Sequence, residues 1–214
     1  FPSIGFNEVH ALDLSVSSKW LGHEKEYNDL DYFNYKLKKL QKEHPSKIVA
    51  GGYLEPRPFY TSSSCNKIGN NGRESRNIHL GIDFWLPANT AVHALLDGEV
   101  VRAGKDAGDK ECGGLVILKH QAEGFEFYTL YGHLSVASAT RNKVGTVLKA
   151  GDVIGLLGDW PENGSWAPHL HFQVMLSIMQ YGINFPGVAY HKQMGVWKSL
   201  CPDPNILIKA KALE

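Results

Sequence analysis

His169-Leu170-His171 sits at the start of an apolar run, residues 169–175, that reads as a β-strand. Side chains two apart on a strand leave the same face, so both imidazoles project together, about one metal-coordination sphere apart. Upstream, His79 and Asp83 flank Leu80-Gly81-Ile82, and Tyr131-Gly132-His133-Leu134 lies between the two clusters. Catalytic zinc takes three protein ligands and leaves a fourth position to water. His79, Asp83 and one member of the His169/His171 pair supply N, O and N donors for such a site. The remaining histidines are then free to move protons, because imidazole titrates near working pH. Metal-assisted hydrolysis needs this set of groups.

The spacing of His79 and Asp83 fits one helical turn, but Gly81, the β-branched Ile82 and the following Phe84-Trp85-Leu86-Pro87 favour a strand or bend. Alone, the two residues could simply hydrogen-bond each other; beside a His-x-His strand, the metal reading is the stronger. Of the other histidines, His120 reads as a supporting or structural residue and His93 as a packed strand position. His10, His23, His44 and His191 have no partner pattern. Trp85, Tyr131, Trp160 and Trp166 flank the motifs and suit a core, with Trp166 placed to line a cleft.

The elements that must hold these residues follow from hydrophobic periodicity. Leu30, Phe33, Leu37 and Leu40 recur at three- and four-residue steps, which predicts an amphipathic helix over 28–44 with Asn28 as N-cap and Pro45 after its end. Residues 61–77, rich in Ser, Asn and Gly, read as a loop entering the His79 cluster. From residue 78 to about 175 short apolar runs alternate with glycine turns roughly every ten residues, a mainly β pattern of the antiparallel sandwich or barrel-like kind. Residues 91–101 and 147–157 resemble one another, suggesting a duplicated hairpin. Carrier domains use such hairpins, but the exposed modified-lysine tripeptide they need is missing. The expected organisation is an N-terminal helical and extended segment (1–60), a β domain (61–176) and a tail packed on the core (177–214).

The 214 residues carry 22 Lys+Arg against 22 Asp+Glu, so no electrostatic bias points to nucleic acid. The charged run at 36–42 reads as a solvated helix face. No stretch of about 18 apolar residues exists to span a membrane. Three scattered cysteines, Cys65, Cys112 and Cys201, form no disulfide framework or CxxC zinc pattern. The sequence begins at Phe1 rather than Met, as a trimmed or processed chain would, which leaves the compartment open between cell envelope and cytoplasm.

His-x3-Asp, Tyr-x-His-Leu and Gly-x-x-x-Pro-His-Leu-His-Phe, in this order, resemble the lysostaphin/LytM-type zinc metalloendopeptidases that cut peptidoglycan cross-bridges. The likeness spans residues 78–174. It implies one zinc ion held by His79, Asp83 and His171, with His133 and His169 as catalytic histidines, and a monomeric enzyme acting on peptidoglycan peptides. Latent members place an Asn on the metal, which makes Asn70, Asn71 and Asn77 candidates for self-blocking ligands.

Two departures stand out. Gln173 replaces a Glu that often follows His-x-His-Phe, and residues 158–166 form a bulkier loop than usual, which would reshape the cleft. The flanks at 13–15, 51–57 and 201–205 also resemble the peptidase-like domain of fusions with phosphotransferase- and aminotransferase-like domains. Two other functions therefore stand beside the first: an intracellular zinc amidase acting on a small metabolite, and a non-catalytic binding module.

Overall fold

The structure, a computed structural model, describes residues 8–70 and 72–214; Asn71 and the first seven residues of the N-terminal segment lie outside the described residues. In chain order the strands and helices are β1 (Val9–Leu12), α1 (Glu24–Tyr27), α2 (Leu30–Glu43), β2 (Ile48–Gly51), β3 (Asn66–Gly69), β4 (Gly72–His79), β5 (Ile82–Trp85) and β6 (Ala91–His93). They continue with β7 (Gly98–Asp106), β8 (Gly113–Ala122), β9 (Phe125–Leu134), α3 (Val136–Ala139), β10 (Val147–Leu148) and β11 (Val153–Leu156). The chain closes with β12 (His169–Met175), β13 (Val188–Tyr190), α4 (Met194–Leu200) and α5 (Asn205–Ile208).

The protein is mainly β. Eight strands form one sheet in the order β1-β2-β5-β12-β9-β8-β7-β10, antiparallel except for the parallel β1–β2 pair. The order is open: β1 and β10 stand at its two ends, and no ladder among the described residues closes a barrel. The two look-alike segments pair with each other, β11 with β6 and β10 with β7. Val92 and Ile154 of the smaller sheet join Val116, Leu118, Tyr131 and Phe172 of the large one in a common core. Each such side chain contributes on the order of 1.5–3 kcal/mol by leaving water.

Strand β12 lies between β5 and β9 and is buried along its whole length. Alternation divides it cleanly: Leu170, Phe172 and Val174 enter the core, while His169, His171 and Gln173 share the opposite face. The N-terminal segment is not a separate layer. Strands β1 and β2 extend the large sheet, and Leu37 and Leu40 of α2 pack with Leu12, Val49 and Trp85.

Three local expectations are corrected. The N-cap of α2 is Asp29, not Asn28, because the Asp29 carboxylate accepts the Tyr32 N–H at 3.0 Å; Asn28 instead ends α1. Residues 61–77 are largely ordered by backbone pairing, with β3 and β4 forming a hairpin in register Asn66↔Ser75 to Gly69↔Gly72. Asn70-Asn71-Gly72 was the turn signal in that stretch, hidden within a generally polar composition. Lys36 also departs from a solvated face: its ammonium lies 4.3 Å from the Trp20 ring centroid and donates to the Trp20 and Leu21 carbonyls. All three cysteines are buried.

The cap makes one energetic statement. Asp29→Ala should lower stability by about 1 kcal/mol, read as a reduced urea midpoint with an unchanged slope.

Candidate metal centre

His79 is the last residue of β4 and Asp83 the second of β5, and Leu80-Gly81 bends the chain between them. A Cβ at Gly81 would meet the Phe172 carbonyl at 2.6 Å and the His171 ring at 2.7 Å, so only glycine lets this bend lie against β12. Antiparallel pairing sets Asp83 opposite His171. As a result His79 Nε2, Asp83 Oδ1 and His171 Nδ1 converge, with separations of 2.9, 3.1 and 3.2 Å. Ligands of tetrahedral zinc at about 2.0–2.1 Å stand roughly 3.3 Å apart, so the trio fits the ion.

The hydrogen atoms of this trio point the wrong way for it to stand alone. His79 Nδ1 donates to the Gly52 carbonyl at 2.9 Å. His171 Nε2 donates to Gln173 Oε1 at 2.9 Å, and the Gln173 amide nitrogen faces the Pro186 carbonyl and Cys201 Sγ. Asp83 Oδ2 is taken by Arg57 Nη1 at 2.5 Å. What remains at the centre is two imidazole lone pairs and a carboxylate oxygen facing one another, all buried. A cation is the group that such an arrangement accommodates.

His133 and His169 complete the group. Their rings lie 4.2 Å apart between centroids, and His169 Nε2 is 3.7 Å from Asp83 Oδ1. Each donates Nδ1–H to a carbonyl, His133 to Asn163 at 2.8 Å and His169 to Ala167 at 2.7 Å, which leaves both Nε2 atoms as proton acceptors. His133 adopts a left-handed φ of 62°, a conformation costing a non-glycine residue roughly 1–2 kcal/mol. Hydrogen bonds from its N–H to the Cys112 carbonyl and from the Gly158 N–H to its own carbonyl hold it there.

Electrostatics follow burial. Desolvation pushes His79 down to about 4, helped by the nearby Arg57 cation. It also lowers His133 and His169 below the ordinary imidazole value, in His133 with further repulsion from the other two rings. Burial alone would raise Asp83, but His79 and Arg57 outweigh it and hold the carboxyl well below its usual range.

All five residues singled out from the sequence thus come together. His120 stays outside, with one ring nitrogen on the Asp97 carbonyl and the other on Thr129; His10 stacks on His44. A cavity beside the cluster is lined by Asp83, His133, His169 and His171 and walled by Tyr27, Phe33, Phe59 and Trp166. Neither Asn70 nor Asn77 lines it. Sequence reasoning missed Arg57, whose guanidinium is buried between Glu55 and Asp83, and Asn163, whose side chain bonds Trp166 and whose carbonyl holds His133. Gln173 had a signal, since it continues the alternation of 169 and 171.

Fold and site define a mainly β protein with a buried His/Asp donor set that suits one metal ion. Residues 77–182 match peptidase family M23, and the chain belongs to that family, among its lysostaphin/LytM-type metalloendopeptidases. It is 36% identical over 100 residues to the DD-carboxypeptidase/endopeptidase Mpg of Neisseria meningitidis serogroup B, covering 47% of this chain and 20% of that protein. It is 31% identical over 143 residues to lysostaphin of Staphylococcus simulans, covering 64% and 26%. With the glycyl-glycine endopeptidase ALE-1 of Staphylococcus capitis it shares 37% over 99 residues, covering 45% and 24%. The chain therefore spans about a quarter or less of the length of these relatives. The crystallised catalytic domain of S. simulans lysostaphin shares 32% identity over 57% of this chain and 80% of that one, with a TM-score of 0.39.

Two outcomes test the centre. Gln173→Leu removes the acceptor that orients His171 and should weaken zinc binding about 10- to 100-fold in competition with a chelator, whereas Gln173→Glu retains an acceptor and should bind nearly as wild type. Because folding lowers the His79 pKa, the metal-free protein holds its extra stability above the ordinary value of 6.5 and loses it as pH falls towards about 4. Thermal unfolding across that window should show the decline, and His79→Gln should flatten it.

Proposed function

We propose that the chain is a zinc-dependent endopeptidase that hydrolyses peptide bonds in peptidoglycan stems or cross-bridges. The observation that carries this reading is the buried trio of outward-protonated ligands, with two further imidazoles presenting unprotonated Nε2 atoms beside it. Family membership and the similarity to lysostaphin and the glycyl-glycine endopeptidase support the choice of substrate.

His79, Asp83 and His171 would hold the ion. Bound there, zinc lowers the pKa of water to about 7 and polarises the scissile carbonyl. His133 and His169 do the proton work at Nε2: a ring that accepts the proton of the attacking water there becomes the cation that then gives that same proton to the leaving amine. Their Nδ1 hydrogen bonds to Asn163 and Ala167 hold each ring in the tautomer that this requires. The depressed pKa values keep both rings neutral at pH 7. Trp85 stacks on His169 at 5.8 Å and limits its rotation. Arg57 keeps Asp83 ionised and fixed through Oδ2, leaving Oδ1 available.

The test is zinc content together with cleavage of cross-linked muropeptides and pentaglycine, followed by mass spectrometry. Asp83→Ala and His171→Ala should lose the metal. His133→Ala and His169→Ala should keep it and lose at least about 100-fold in turnover, within the range general acid–base groups contribute. Full turnover by His169→Ala would remove its assigned role. Absence of cleavage by the zinc-loaded wild type would move the assignment to a small-metabolite amidase or a binding module.

A further inference from the structure

The cavity beside the metal centre contains a cation, Lys110, that makes no close ion pair among the described residues; its nearest acidic influence is the neighbouring Asp109. Asp83 is engaged by Arg57, and Glu111, also on the wall, is engaged by Arg76 at 3.7 Å. Lys110 lines the same cavity, and among the described residues no carboxylate pairs with its ammonium within 4.0 Å. Of its three donors one reaches the Ser165 carbonyl at 3.1 Å.

Lys110 is positioned by the bulky loop at 158–166. Its backbone N–H donates to the Gly164 carbonyl at 3.0 Å, and its Nζ sits 4.0 Å from the Trp166 ring centroid. Trp166 in turn is 6.4 Å from the His133 ring and 6.5 Å from that of His169. Both Lys110 and Ser165 adopt left-handed backbone, with φ of 64° each, so the ammonium is presented from two constrained turns. Partial burial lowers the Lys110 pKa from its ordinary value, outweighing the opposing pull of Asp109.

We infer that Lys110, held against Trp166, is an anion subsite that binds a free carboxylate of the peptide substrate. The inference rests on the endopeptidase reading for the identity of that substrate. An extended chain advances about 3.5 Å per residue, and the short steps from ammonium to indole to catalytic imidazoles place the carboxylate about one to three residues from the cleaved bond. The carboxylate could be the chain terminus or an acidic side chain; both present the same two oxygens to the ammonium.

Equilibrium binding separates these cases and does not depend on turnover. Zinc-loaded wild type, Lys110→Met and Lys110→Arg would be titrated by calorimetry with three N-acetylated peptides: pentaglycine acid, pentaglycine amide, and an amide-capped tetraglycine carrying one Glu. Cleavage of each would be followed in parallel. Wild type should bind a carboxylate peptide about tenfold or more tightly than the amide; Lys110→Met should lose that preference and Lys110→Arg should keep it. Preference confined to the pentaglycine acid assigns the terminus, and preference for the Glu peptide assigns a side chain. Equal binding of all three peptides by wild type, including no measurable binding of any, overturns the subsite, as does a preference that survives Lys110→Met. Carboxylate-dependent binding without cleavage would leave the subsite standing and sink the peptidase reading; cleavage indifferent to the carboxylate would do the reverse.

Discussion

Three electron pairs meet at the centre of this protein with no proton between them. Gly52, Gln173 and Arg57 each hold the far side of a ligand, so His79 Nε2, His171 Nδ1 and Asp83 Oδ1 can only face one another. In a dry site such a convergence is costly without a cation. Much of the surrounding architecture serves to maintain it. The Leu80-Gly81 bend brings the ends of two strands together, β12 supplies alternate side chains, and a buried arginine offsets the carboxylate charge.

The two further imidazoles, His133 and His169, depend on a different part of the chain. His133, next to the last residue of β9, has a left-handed conformation, and its ring is oriented by the carbonyl of Asn163. Asn163 is fully buried in the loop at 158–166 and stitches that loop to itself through Trp166 and Gly158. The same loop carries the indole that walls the cavity and receives Lys110. A segment that reads as a departure in the motif region is thus the part that joins the His133 ring to the wall of the cavity.

The N-terminal segment adds a second dependence. Its strands extend the main sheet, while Tyr27, Phe33 and Phe59 line the cavity that also takes in Asp83, His133, His169 and His171. These residues precede the family-matched region, 77–182. The shape offered to a substrate is therefore set by residues outside the part that carries the reacting groups.

The grouping of His79, Asp83, His133, His169 and His171 and the strand character of 169–175 were legible from period-two alternation, a glycine that breaks a helix, and a motif order that resembles a known family. Asp29 and the β3–β4 hairpin were misread at the same local level, where adjacent capping residues compete and a polar turn resembles a loop. Arg57, Asn163 and Lys110 were not legible. Each acts through a contact made by folding, 26 residues from Arg57 to Asp83, 30 from Asn163 to His133 and 55 from Lys110 to Ser165, and a lone arginine, asparagine or lysine in a polar stretch has no periodic signature. By itself the sequence determined which donor and imidazole side chains are available, and that His169 and His171 share a face, since those properties belong to residue types and to spacing along a strand. Tertiary structure decided which ring nitrogen is free, which carboxylate oxygen is held and which cation is left unpaired, because those depend on partners delivered from distant loops.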